Sequence, residues 1–260
     1  MDNTELMRFP VKEVPAIMGK GFDYKDDTGH KFIIREDTNE ILSCMTTDYK
    51  LVRNDEVLNA IGPVMKDNKA VLTEATTFSG GARMKVKYIM KDTKVKIDEG
   101  DYVNPEIIIR NSYDGSLEAS VMAGAFRLVC SNGLVIGFLL GKTGYRHIEG
   151  SGVSEEAMAE LVEKLVLRTK DVFNEEFPVL IDTKVEEKHI KKIIGMFPIT
   201  VMDSLVQKMV AKPPKTYWDL LNAATWTTTH AMKRENEATH KLEERLYPAV
   251  KSWARQIAKA

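Results

Sequence analysis

The sequence predicts an α+β fold: an N-terminal antiparallel β-meander packed on a helix, followed by a mainly helical C-terminal half. Three observations carry this. β-Branched and alternating runs dominate up to Gly150. An Asp-Gly pair, Asp114-Gly115, stands between two of those runs, as a tight hairpin requires. Beyond Gly150 the apolar residues move to spacings of three and four, the period of helices. Strands first and helices afterwards is a segregated arrangement. The expected organisation is therefore a sheet-rich domain over 1–150 and a helical region over 151–260.

Residues 1 to 30 hold few periodic apolar positions and read as an arm, with room for a short helix before Pro10. Lys31–Arg35 and Glu40–Met45 read as a strand pair across an Asp37-Thr38-Asn39 turn. Asn54 is an N-cap residue type, and Val57, Leu58, Ile61, Val64 and Met65 follow on one helical face, with Pro63 a source of kinking. Val71–Phe78 and Ala82–Met90 form a second strand pair around Ser79-Gly80-Gly81. The apolar stretch from Asn104 to Gly141 then supplies the sheet core, through Ile107-Ile108-Ile109, Leu117–Val121 and Leu134–Leu140. In the second half Ser154 caps a helix running to Phe173. Thr183 with Glu186, Thr200 with Asp203, and Thr216 with Asp219 are spaced to start three more. A last helix carries Leu242, Leu246, Val250, Trp253 and Ile257 past Pro248.

The whole chain has 260 residues, 43% hydrophobic and 29% charged, which suits a globular protein. Its 37 basic and 38 acidic residues leave a net charge of -1, so any nucleic-acid site must be a local patch. Two cysteines without CxxC spacing fit a reducing cytoplasm and speak against a zinc site. The polar N-terminus is unlike a signal peptide, and no apolar run approaches the ~20 residues that span a bilayer. No membrane association is expected.

Few motifs point to catalysis. Gly137–Thr143 resembles a phosphate-binding loop but has three residues between its glycines where four are needed. The five histidines lack metal-ligand spacing. Cys130, in an apolar run, reads as a buried small residue rather than a nucleophile. No cofactor is expected. The main charge asymmetry is basic: from Arg83 to Lys96 there are six cations and one acid, Asp92. Arg83, Lys85 and Lys87 share one face of a strand, and Lys91, Lys94 and Lys96 follow. The plain reading is an exposed sheet face whose lysines discourage aggregation. The functional reading is a track for a phosphate backbone, with Arg110, Arg127, Lys142 and Arg146 as extensions. Tyr88, Tyr113 and Tyr145 lie close in sequence and could stack bases.

From Ile107 to Gly137 the sequence is similar to a family carried by phages, prophages and plasmids, domain-of-unknown-function family 932. Asn111-Ser112, Asp114-Gly115-Ser116 and Gly124–Leu134 (GAFRLVCSNGL) carry the resemblance, supported by Tyr49–Val52 and Trp218–Ala223. It implies a mobile-element origin and no assigned chemistry. The order of helix, basic meander and helix also resembles the ring-forming single-strand annealing proteins, of the RecT, Red-beta, Erf and eukaryotic Rad types. That likeness implies an oligomer, ring or filament, with a groove for single-stranded DNA. The expectation is thus a non-enzymatic single-stranded DNA-binding and annealing protein of the bacterial cytoplasm. The alternatives are a phage protein-interaction factor, using Trp218, Trp226 and Trp253 as anchors, and an enzyme whose site is assembled from distant residues.

Overall fold

The computed structural model describes residues 3–17, 28–98, 101–127, 142–145, 154–232 and 237–259. In chain order the elements are β1 (Val11–Pro15), β2 (His30–Arg35), β3 (Ile41–Thr46), α1 (Asn54–Asp67), β4 (Ala70–Phe78), β5 (Arg83–Met90), β6 (Val95–Asp98), β7 (Asp101–Ser112), β8 (Ala119–Arg127) and β9 (Lys142–Tyr145). Helices follow: α2 (Glu155–Asp171), α3 (Phe177–Asp182), α4 (Glu187–Ile194), α5 (Ile199–Ala211), α6 (Tyr217–His230) and α7 (Glu237–Ala258). The chain is α+β, with antiparallel strands in its first half. The described residues fall into two compact units. One lies within Met1–Met90, Ile107–Met122 and Lys142–Val166, the other within Lys91–Glu106, Ala123–Gly141 and Leu167–Ala260.

In the first unit β1, β2 and β3 form one antiparallel sheet. The expected arm is corrected here. Asn3–Met7 forms a 3₁₀ turn, and β1 pairs along β2 from Val11↔Arg35 to Pro15↔Lys31. Met7, Phe9 and Val11 are buried in the core, but within β1 only Val11 is buried, so the strand has no alternation to show in the sequence. Phe9, Val11, Ile33, Tyr49 and Tyr113 pack as one cluster, with Arg35 3.9 Å over the Phe9 ring. A second sheet runs β4-β5-β7-β8-β9. Helix α1 buries Val57, Leu58, Ile61 and Met65, the face its spacing predicts, and continues through Pro63. Its cap is Arg53, not Asn54, whose backbone is already helical.

In the second unit β6 pairs with the start of β7, Val95 opposite Val103. A π-turn, Val172–Glu176, ends α2 and leads into α3. Thr216 and Asp219 form the expected capping box of α6. Ser154 caps α2 through the Ala157 N–H, at 3.2 Å. The other two boxes are corrected. Helix α4 is preceded by Glu186 without a side-chain cap, and α5 starts behind Pro198, whose fixed φ already suits a helix entrance. The tryptophans are not free anchors. Trp218 is buried, Trp253 stacks on His189 at 4.8 Å, and Trp226 stacks on His230 at 4.7 Å. Leu134–Leu140, Cys130 and Gly137–Gly141 lie outside the described residues.

Candidate nucleic-acid interface

Regular alternation puts Arg83, Lys85 and Lys87 on one face of β5, while Met84 and Val86 point into the core. All three cations have carboxylate partners. Arg83 Nε donates to Asp114 at 2.8 Å, and Lys85 and Lys87 reach Glu74 at 2.9 and 3.0 Å. A β-bulge produces the second arrangement. Leu72 opposes Tyr88, but Glu74 opposes Lys87, so β4 carries one extra residue between those pairs. Without it Glu74 would stand opposite Val86, on the core face. Burial pushes the Glu74 carboxyl up, but hydrogen bonds from Lys85 and Lys87 hold it below the usual range. Asp114 is likewise lowered against burial, by Ser116 and Arg83. Both acids are therefore charged at neutral pH.

Arg110 differs. The Tyr113 N–H donates to the Ala82 carbonyl at 2.7 Å, so the end of β7 meets the start of β5 and the two run antiparallel. Arg110 lies on β7, the sheet neighbour of β5. It is half-buried, and burial alone pulls its guanidinium below the ordinary value. No carboxylate pairs with it among the described residues. Lys91, Lys94 and Lys96 belong to the second unit. They are exposed, with Lys94 4.6 Å above the Tyr102 ring and no carboxylate partner among the described residues. Arg127 lies at the end of β8 and Lys142 at the start of β9. Their side chains, and all of Arg146, lie outside the described residues. Tyr113 is not available for stacking, being 1% exposed in the core.

An open cleft of 410 Å³ in the first unit is lined by Lys31, Lys50, Arg53, Glu13 and Asp48 among others. Lys31 pairs with Glu13 at 2.7 Å, and Arg53 with Glu56 at 3.6 Å. No group of three or more His, Cys, Asp or Glu among the described residues could hold a metal ion. No described helix is long and apolar enough to cross a membrane.

The segment Asn111–Ser116 serves as a structural joint. Asn111 Nδ2 donates to the Val52 carbonyl and to Asn54 Oδ1, both at 2.9 Å. Tyr113 Oη accepts the Asn54 N–H at 2.9 Å, satisfying a donor at the start of α1. The Tyr49 hydroxyl donates to the Ser112 carbonyl, and Ser43 Oγ to that of Tyr113. Asp114 Oδ1 accepts from the Ser116 N–H at 3.0 Å, closing the turn. Gly115 has φ +67°, and a Cβ there would meet Met45 Cε at 2.7 Å. The same bonds explain Tyr49–Val52: Tyr49 and Val52 are two of the joint's partners. Trp218–Ala223 lies in α6, where Trp218, Leu220 and Leu221 are core and Asp219 completes the capping box of Thr216.

No curated protein and no solved structure matches the chain. A family model, Domain of unknown function (DUF932), matches residues 41–247. That span takes in α1, the segments that carry the resemblance and the helices through the first half of α7, so the chain belongs to the DUF932 family.

Proposed function

We propose that this chain is a phage or mobile-element protein that binds and anneals single-stranded DNA. It would act as a homo-oligomer in the bacterial cytoplasm, without cofactor chemistry. The observation that supports this reading is Arg110. A half-buried guanidinium with no carboxylate partner among the described residues, on the strand next to the one that carries Arg83, Lys85 and Lys87, is poised for an anion from outside the chain. The paired lysines hold the face of β5 at low net positive charge, which favours loose backbone contact without sequence readout. Lys91, Lys94 and Lys96 offer further phosphate contacts in the second unit. Annealing then needs only two neutralised backbones with bases free to pair. Binding to a single-stranded oligonucleotide, measured from low to high salt for wild type and Arg110→Gln, tests the reading. The expected wild-type affinity falls steeply with salt. No binding at low salt, or identical salt dependence in the variant, rejects it.

A second reading, a protein-interaction factor, has its own observation. Helix α5 exposes an apolar face: Ile199 is 85% exposed and Val210 73%. Capture of a host protein that Val210→Glu abolishes, with no nucleic acid in the complex, would favour it.

A further inference from the structure

The second unit holds a cation cluster that no sequence run announces. Glu176, the last residue of the π-turn, is 3% exposed. Four side chains converge on its carboxylate. Oε1 accepts from Arg168 Nη2 at 2.7 Å and is approached by Arg255 Nη2 at 3.6 Å. Oε2 accepts from the Tyr247 hydroxyl at 2.5 Å and faces Lys251 Nζ at 3.2 Å. Burial pushes the Glu176 carboxyl up, but the bonds from Tyr247, Arg168 and Lys251 outweigh it and keep the group charged. Three cations thus meet one buried carboxylate. Asp171 adds one negative charge near Arg168, which leaves the cluster positive.

The surplus faces solvent. Arg168 and Arg255 each keep 47% of their side chains exposed. A guanidinium has five N–H donors in a planar fork. Arg168 donates one hydrogen bond to Glu176, and Arg255, at 3.6 Å, stands beyond hydrogen-bond range of it. Both Nη2 atoms lie near the same oxygen, so they are at most about 6.3 Å apart, the sum of those two distances. A tetrahedral oxyanion fits such a gap, with separate oxygens accepting from each guanidinium. A carboxylate that only needed neutralising would be served by Arg168 and Lys251. The third cation has no internal purpose in that role. π-Turns of this kind often mark functional positions.

We propose that Arg168 and Arg255, oriented by Glu176, form a binding site for a phosphate-class dianion, either free phosphate or a terminal phosphate monoester. The site lies wholly within the second unit and does not depend on the sheet face described above, so either can fail alone.

The test uses the full chain. Inorganic phosphate is titrated at constant ionic strength, with chloride as the balancing salt, and the thermal midpoint and heat of binding are followed. Wild type should show saturable binding. Arg255→Gln, which removes a side chain not hydrogen-bonded to Glu176, should weaken it at least tenfold while the protein stays folded, and Arg168→Gln should do the same. A 5′-phosphorylated and a 5′-hydroxyl oligonucleotide of one sequence then identify the source. A preference for the phosphorylated strand that Arg255→Gln removes assigns the site to strand ends. Equal binding of the two assigns it to free phosphate. No saturable phosphate binding, an equal response to chloride, or unchanged binding in Arg255→Gln overturns the proposal.

Discussion

Each unit contains a glutamate that gathers cations, and the two differ in what remains. On the sheet of the first unit Glu74 takes Lys85 and Lys87 while Asp114 takes Arg83, so the three cations of β5 are largely neutralised in place. In the second unit Glu176 takes hydrogen bonds from Arg168 and the Tyr247 hydroxyl and a close contact from Lys251, while Arg255 keeps only a longer 3.6 Å ion pair to it. The cations that alternate along β5 are therefore not the ones with donors to spare. Among the described residues, Arg110, Lys91, Lys94 and Lys96 have no carboxylate partner, and Arg255 is held to one only at 3.6 Å.

The largest effect that would break this comparison is at Glu176. Replacing it with Gln leaves two guanidiniums and an ammonium around a buried neutral group, and should destabilise the chain by about 3 kcal/mol in denaturant unfolding. The pH dependence has a definite sign. The folded carboxyl lies below its ordinary value of 4.5, so its stabilisation is complete above that value and is lost as pH falls through the lower folded one. Glu176→Gln should flatten this acid limb of the stability curve. Next comes the joint, where every bond is internal. Tyr113→Phe strands the Asn54 N–H in the core and should lower stability by about 1–3 kcal/mol, with no change in salt-dependent DNA binding.

Smaller effects sharpen the sheet face. Arg110→Gln removes a desolvated charge that has no carboxylate partner among the described residues, so stability should hold or rise slightly. The slope of log affinity against log salt for single-stranded DNA should become shallower by about 0.7. Glu74→Gln should act in the opposite direction. It frees Lys85 and Lys87 and should tighten binding and steepen the slope, at a stability change within about 1 kcal/mol, since the pairs are partly exposed.

The fold class, the α1 face and the Asp114-Gly115 turn were legible because each rests on local periodicity or turn chemistry. The N-terminal strand was not legible because Val11–Pro15 carries no apolar alternation and is held as a strand by its pairing with β2. The charge state of the basic strand was not legible at all. It depends on a one-residue bulge between Leu72 and Glu74, which turns an acid toward the lysines, and no sequence pattern fixes a bulge there. The Glu176 cluster was hidden for a related reason. Its members come from the end of α2, the π-turn and α7, more than seventy positions apart, and only the packed helices bring them together. The signature segment was legible as a family mark, and its Asn111–Ser116 part is accounted for by the joint it builds.

The most direct test is one set of salt titrations with single-stranded DNA on wild type, Arg110→Gln and Glu74→Gln. Three separable slopes are expected, shallowest for Arg110→Gln and steepest for Glu74→Gln, because one variant removes a free cation and the other releases two paired ones. Three coincident slopes, or no binding by wild type at low salt, would contradict the claim that this sheet face meets a phosphate backbone.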